Sequence, residues 1–95
     1  MDLQYLSKEA KELLIEASKD PHGTVIKILN PVTGDISLKT NGKNLVMEVG
    51  PIVKSIWESA LQELLVNTLL AEKGENVFEI THKGYQSVGK LNKKN

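Results

Sequence analysis

The chain has 95 residues, no net charge at neutral pH and no cysteine; this fits one domain and excludes both a disulfide framework and a cysteine-type zinc site. Its two histidines cannot close a metal site by themselves, and no apolar run approaches the roughly 20 residues of a membrane-spanning helix. We therefore expect a cytoplasmic protein with no cofactor, no metal and no membrane partner.

The first predicted element is an amphipathic helix over residues 7–19. Ser7 is suited to cap its N-terminus, and Asp20-Pro21 ends it because the residue before a proline leaves the α region. Glu12 and Glu16 lie four residues apart between the apolar positions, and we expect both carboxylates to be solvated. The apolar positions recur at helical spacing and are Leu6, Ala10, Leu13, Leu14 and Ala17.

Residues 24–40 predict a β-hairpin. The segment 24–29, TVIKIL, is β-branched and apolar, whereas 36–40, ISLKT, alternates apolar and polar residues. The residues between them, 30–35, are rich in turn formers. Asn41-Gly42 is a second tight-turn signal and predicts a further short strand at 45–49.

The longest predicted helix begins at Gly50-Pro51 and ends at 66–68. Proline suits the first turn because its missing N–H donor is not needed there. Asn67 would fall on the apolar face, and asparagine tolerates the left-handed conformation of a helix end. One face holds Val53, Ile56, Trp57, Ala60, Leu61 and Leu64, and the other holds Lys54, Ser55, Glu58, Ser59 and Gln62.

The last third of the chain predicts a second hairpin followed by a third helix. The hairpin strands are 69–72 and 77–80, joined by a polar loop that contains a glycine. Thr81 is suited to cap the closing helix. We expect a single domain over 1–92 and a frayed basic tail at 93–95. The residues expected to seal the last helix against the core are Tyr85, Val88 and Leu91.

The segment 60–84, ALQELLVNTLLAEKGENVFEITHKG, resembles the second half of winged-helix domains. In that family a helix ends in Leu-x-x-x-Gly-Leu-Ile, and a short wing and a Leu/Ile-Thr-x-x-Gly signature follow. Leu64 and Leu69-Leu70 match the helix end, and residues 80–84 match the signature. The resemblance implies an α+β, winged-helix-like fold with two main helices, a C-terminal helix and two small β-hairpins.

Two features depart from the family pattern. Thr68 stands where the family has glycine, and a β-branched residue disfavours positive φ. We therefore expect Asn67 to adopt that conformation and to shift the turn by one residue. Residues 30–49 predict a hairpin and a turn in place of the short second helix, so we expect an atypical or missing helix-turn-helix.

The residues that could carry catalysis form no coherent arrangement. We expect His22, in a Pro-His-Gly turn, and His82, at a helix start, to lie on the surface without a serine-and-acid triad. Residues 87–90 match a Ser-x-x-Lys pattern, but its companion motifs are absent. Residues 34–40 lack the second glycine of a phosphate loop because Leu38 stands there. We expect no enzymatic activity.

The winged-helix resemblance implies weak, salt-sensitive binding of duplex DNA by the long helix and the wing. All twelve basic residues are lysines, and Glu58 and Glu63 lie near the contact face. Neutrality and these acids limit such binding, because phosphate neutralisation supplies most non-specific affinity. The candidate DNA contacts are Lys54, Ser55, Ser59, Gln62, Lys73 and Asn76.

The alternative function is that of a protein-interaction or homodimerisation module. One form of it is the terminal regulatory domain of a larger protein. The neutral charge and the wide apolar surface near the end of the long helix favour it. The single tryptophan fits core packing, but tryptophan is also enriched at interface hot spots. The candidate interaction residues are Trp57, Leu65, Val66 and Leu70.

Overall fold

The structure, a computed structural model, describes residues 6–92 and the side chains of residues 6–90. Three helices and five strands form an α+β domain, as expected. The predicted spans 7–19, 24–29, 36–40 and 77–80 are confirmed to within one residue. In chain order the elements are α1 (Lys8–Lys19), β1 (Thr24–Leu29), β2 (Ile36–Thr40), β3 (Lys43–Asn44), α2 (Pro51–Val66), β4 (Leu70–Gly74), β5 (Val77–Ile80) and α3 (His82–Asn92).

The five strands form one antiparallel sheet in the order β3-β2-β1-β5-β4. Strand β1 is central and pairs with both neighbours: Leu29 lies opposite Ile36 of β2, and Val25 lies opposite Phe78 of β5. This layout differs from the expected pair of separate hairpins, because β1 joins the two hairpins edge to edge.

The predicted strand at 45–49 is wrong. The chain leaves the sheet after the two-residue strand β3. The N–H of Leu45 still donates to the carbonyl of Leu38 at 3.0 Å, but the Asn44 side chain accepts the next N–H groups. Its Oδ1 accepts the N–H of Leu38 at 3.2 Å and the N–H of Val46 at 3.1 Å. The predicted turn at Asn41-Gly42 is confirmed, with φ of 54° and 74°. Residues 45–50 therefore form an irregular loop that leads into α2.

The hydrophobic core lies between the helices and one face of the sheet. The apolar positions predicted for the first helix are all buried there, which confirms its pattern. Val88 of α3 is buried, but Tyr85 is 45% exposed and does not seal α3 as expected. The side chain of Leu91 and the tail 93–95 lie outside the described residues. Other core side chains are Val25, Leu38, Trp57, Ala60, Leu61, Leu64, Leu69, Phe78 and Ile80.

The predicted helix starts are confirmed by their hydrogen bonds. Ser7 Oγ accepts the N–H of Ala10 at 3.1 Å at the start of α1, and Thr81 Oγ1 accepts the N–H of Gly84 at 3.0 Å at the start of α3. Pro51 stands in the first turn of α2, where its missing donor costs nothing. Local side-chain chemistry therefore sets where each helix begins.

The turn after α2 contains a strained residue. The N–H of Leu69 donates to the carbonyl of Leu64 at 2.8 Å, and the N–H of Thr68 donates to the carbonyl of Leu65 at 3.0 Å. These two bonds define a Schellman motif, whose left-handed position is residue 68. Thr68 accordingly has φ of 58°, whereas Asn67 has φ of −89°. The expectation that Asn67 takes the positive φ is wrong, because the hydrogen bonds fix the register.

The Asp20 carboxylate joins three segments of the chain. Its Oδ2 accepts the N–H groups of His22 at 3.0 Å and Thr24 at 3.1 Å, and its Oδ1 accepts the N–H of Asn41 at 3.0 Å. The end of α1, the start of β1 and the turn after β2 are thereby held together. These bonds, first that from Thr24, hold the pKa of Asp20 below its ordinary value.

Glu16 makes a second link between α1 and the same turn. Its Oε1 accepts a hydrogen bond from Asn41 Nδ2 at 2.9 Å and forms an ion pair with Lys43 Nζ at 3.1 Å. These two partners, Asn41 first, lower the pKa of Glu16. Its side chain is only 12% exposed, so the expectation of a solvated Glu16 is wrong, whereas Glu12 is exposed.

Replacing Thr68 by glycine should stabilise the domain. Glycine relieves the strain of positive φ, and this gain should exceed the loss of the threonine side-chain contacts. We therefore expect the free energy of unfolding to rise by about 0.5–1 kcal/mol. The measurement is urea unfolding followed by Trp57 fluorescence. Thr33→Gly is the matched control, since Thr33 is not at positive φ and should only lose stability. A loss of stability in Thr68→Gly as large as in the control would contradict the strain.

Replacing Asp20 by asparagine should destabilise the domain by about 1–2 kcal/mol at neutral pH, because the amide oxygen cannot accept all three N–H groups. The folded pKa lies below the ordinary value of 3.8. The carboxylate's contribution is therefore complete above that value and disappears as pH falls through it towards the folded pKa. Urea midpoints at neutral and acid pH should show the gap between wild type and variant narrowing on acidification. Glu12→Gln is the control, and an equal gap at both pH values would refute this account.

Candidate interaction surface

The exposed residues on the outward face of α2 are uncharged. The helix turns Trp57 and Leu64 into the core. On its opposite side six residues spaced by three and four are exposed, and Glu63, which lies on the same side, is half-buried. We call this surface the α2 stripe. Its members are Ile52, Ser55, Ile56, Ser59, Gln62 and Val66.

Both ends of α2 are fixed, so the orientation of the stripe is set by the fold. At the start, Asp35 Oδ1 accepts the N–H of Gly50 at 3.0 Å, which ties the helix to the β1–β2 turn. At the end, the Schellman bonds close the helix, and Lys83 Nζ donates to the carbonyl of Asn67 at 3.0 Å. The stripe is therefore presented on a rigid element.

The α2 stripe carries large apolar side chains in contact with water. Ile52 is 75% exposed, Ile56 42% and Val66 68%. In the preceding loop, Met47 is 84% and Val49 77% exposed. Half of the ten exposed large apolar side chains among residues 6–90 thus lie on α2 and the loop before it. Ile52 and Ile56 lie one helical turn apart, whereas Ser59 and Gln62 separate them from Val66. Clustered exposed apolar side chains are typical of an interaction site, whereas scattered single residues are not.

A groove of about 290 Å³ borders the stripe, between the start of α1, the 45–50 loop and α2. Met47 and Ile56 line it, with Trp57 alongside. Trp57 is only 8% exposed, so most of its ring belongs to the core. Lys8 and Glu12 supply part of the polar lining.

The charged residues near the stripe have partners within the protein. Glu58 Oε2 pairs with Lys27 Nζ of β1 at 3.2 Å, and Glu63 Oε1 accepts the N–H of Ser7 at 2.8 Å. The acids that we expected to repel phosphate are therefore bound to the protein's own groups. Lys54 is half-buried and outside the stripe, so the stripe itself offers no cation.

The residues predicted to contact DNA lie on two separate elements. Ser55, Ser59 and Gln62 share the α2 stripe, and Lys54 lies beside it. Lys73 and Asn76 are exposed at the β4–β5 turn. The carbonyl of Asn76 accepts the N–H of Lys27 at 2.9 Å, which fastens that turn to β1. Helix and turn are both accessible, and DNA contact at either stays a prediction.

The residues predicted to contact a protein partner differ widely in exposure. Val66 belongs to the α2 stripe, and Leu65 is half-buried. Leu70 is 2% exposed and packs in the core, so it offers no surface to a partner, because β4 turns it inward opposite Ile80.

Sequence reasoning missed the two isoleucines of the stripe. Ile52 was assigned to neither face, and Ile56 was expected in the core. Their four-residue spacing was the available signal, because it places them on one line of the helix. That line lies on the side of α2 away from the core.

The described residues form no cluster of metal-ligating side chains. His22 and His82 are both exposed, and no group of three or more metal-ligating side chains within residues 6–92 is placed to hold an ion. No helix in that part of the chain has the length and apolarity to cross a membrane. Comparison of the chain with protein-family models, curated proteins and solved structures gave no match.

The two faces of α2 should respond differently to truncation. Ile52→Ser should change the free energy of unfolding by less than about 0.5 kcal/mol, since its side chain stays mostly in water when the domain folds. Leu64→Ala, which opens a cavity in the core, should cost about 2–5 kcal/mol. Urea unfolding monitored by far-UV circular dichroism measures both. Comparable losses in the two variants would mean that the stripe is packed against the rest of the chain.

Proposed function

We propose that the chain is a non-enzymatic protein-interaction module that binds its partner through the α2 stripe. The supporting observation is the pairing of three exposed aliphatic side chains with three neutral polar ones on a rigid helix. Depletion of charge and enrichment of apolar area are typical of the centre of a protein interface. Stability of the monomer gives no reason for this composition, because a helix face that remains in water is usually charged.

Duplex DNA is less well suited to the α2 stripe. Binding of DNA rests on cations placed against phosphates, and the six stripe residues include no lysine. Lys27, which reaches α2 from the sheet, is paired with Glu58. Salt-sensitive DNA binding through Lys54 and Lys73 stays a prediction.

We also keep the winged-helix relationship as a proposal. It is supported by the element order and by the tight turn at Thr68, the position where the family has glycine. Strands β2 and β3, with the turn between them, stand where the family has its second helix. A helix-turn-helix that binds DNA would therefore lack its first helix here.

Site-specific photo-crosslinking in the native cells tests the proposed function. A benzophenone amino acid replaces Ser59 at the centre of the stripe, and the same group at Gln86, exposed on α3, is the control. We expect a protein adduct from position 59 and none from position 86. Adding Ile56→Asp should remove the adduct by placing a charge within the contact.

The crosslinking result separates the two candidate partners. A nucleic-acid adduct at position 59, or no adduct there, would contradict the proposed function. Fluorescence anisotropy with labelled duplex DNA at low salt provides the complementary measurement. The proposal expects no binding that depends on Ile52 or Ile56, whereas a loss of DNA affinity in their serine variants would assign the stripe to DNA.

A further inference from the structure

We infer that Asn41 is a modification site, at which the side chain closes on the backbone nitrogen of Gly42, loses ammonia and leaves a carboxylate beside Glu16 and Asp20. Asn41-Gly42 is also the tight turn between β2 and β3, so the modified residue lies where α1 meets the sheet. This inference is independent of the α2 stripe and of its partner.

The reaction requires only water besides the protein. The backbone nitrogen of Gly42 gives up its proton and attacks Cγ of Asn41, the Cγ–Nδ2 bond breaks, and the side-chain nitrogen leaves as ammonia. The succinimide ring that forms then takes up one water molecule. Opening of the ring at Cγ gives aspartate, and opening at the backbone carbonyl gives isoaspartate, whose main chain runs through Cγ. No electrons are transferred in either step.

The residue after Asn41 leaves the attacking nitrogen accessible. Asn41-Gly42 is the only Asn-Gly pair in the chain, and glycine has no side chain to hinder the closing of the ring. Gly42 is exposed, and no neighbouring group lies within 4 Å of the position that a Cβ would take. Within residues 6–92 its N–H donates to no acceptor. No hydrogen bond therefore has to break before the attack.

The native contacts of Asn41 suit an amide and not a carboxylate. Its Nδ2 donates to Glu16 Oε1 at 2.9 Å, and its backbone N–H donates to Asp20 Oδ1 at 3.0 Å. Deamidation removes the donor to Glu16 and places a negative charge there instead. Like charges at this distance disfavour each other's ionised form. Lys43, already paired with Glu16 at 3.1 Å, would have to serve two carboxylates.

Isoaspartate disturbs the same junction through the backbone. Strands β2 and β3 pair through Thr40 and Lys43, and the two residues that join them both have positive φ. In a two-residue turn the backbone twist has to fit that of the flanking strands. An added main-chain carbon changes this fit. Both products of the reaction therefore loosen the contact between α1 and the end of β2.

Asn76 is a matched reference within the same chain. Its φ of 61° is close to the 54° of Asn41, and it is exposed in the turn between β4 and β5. The residue after it is Val77, whose branched side chain is stiff and crowds the backbone beside it. The two asparagines share a backbone conformation and differ in the residue that supplies the nitrogen.

Peptide mapping of the aged, purified full chain tests the modification. The folded protein is kept at neutral pH and physiological temperature for several weeks and is then digested at lysine. This releases peptides 40–43 and 74–83, each of which contains one asparagine. We expect aspartate and isoaspartate forms of 40–43, each with the mass gain of one deamidation, and an unchanged 74–83. No conversion of 40–43, or equal conversion of both peptides, overturns the inference.

A pair of variants tests the effect of the new carboxylate. Asn41→Asp reproduces the aspartate product, and we expect it to lower the folding equilibrium constant by about tenfold, because a shielded carboxylate loses its hydrogen-bond donor. Asn76→Asp makes the same chemical change at a similar φ, away from Glu16, and should have a much smaller effect. Urea unfolding followed by Trp57 fluorescence measures both. Equal losses in the two variants would overturn the assigned contact.

A compensating substitution separates this contact from a general effect of charge. Glu16→Gln supplies an amide donor to the carboxylate of Asn41→Asp, so the two groups exchange roles. We expect Asn41→Asp to cost much less in the Glu16→Gln background than in the wild type, as a double-mutant cycle measures. An equal cost in both backgrounds would place the cause of the loss outside this pair and overturn the inference. Circular dichroism verifies that each variant is folded before unfolding is measured.

Discussion

The Asp20 carboxylate is the contact on which the arrangement of the helices and the sheet depends. Three backbone N–H groups from two loops converge on its oxygens, and these loops are where α1 meets the sheet. Because α2 and α3 both pack on α1, the angle between α1 and the sheet also affects the positions of these two helices. The Asp20 carboxylate therefore holds in place the helix on which α2 packs, whereas Asp35 and Lys83 fix the two ends of α2 itself.

Helix α2 combines two roles on two faces. Its inner face supplies Trp57 and three smaller apolar residues to the core, and its outer face supplies exposed aliphatic residues without charge. In a protein with equal numbers of lysines and acids, the lack of charge among the exposed residues of this face cannot be attributed to a shortage of charged residues. The charges are placed on the flanks instead, where Lys27–Glu58 binds the helix to the sheet.

Much of the fold could be predicted because it follows from local pattern. Helix α1 and strands β1 and β2 came from periodicity, and the caps at Ser7 and Thr81 came from side-chain chemistry. The failure at Asn67 and Thr68 was a one-residue error in the register of a local turn, whereas two others depend on partners from other elements. Asn44 competes for the ladder bonds only because Leu38 is close, and Glu16 is shielded only because the turn after β2 folds back on it. The α2 stripe was half predicted, since its serines were assigned outward and its isoleucines were not.

The position of β1 at the centre of the sheet has a consequence for incomplete chains. Its second neighbour, β5, begins nearly 50 residues later, after the whole of α2. A chain that stops before Val77, whether during synthesis or after proteolysis, leaves one edge of β1 unpaired. The part of β1 that β5 covers is Thr24–Ile26, and Ile26 is partly exposed even in the complete domain. Open strand edges recruit other strands, so pairing with β5 removes a site of strand addition from this part of β1.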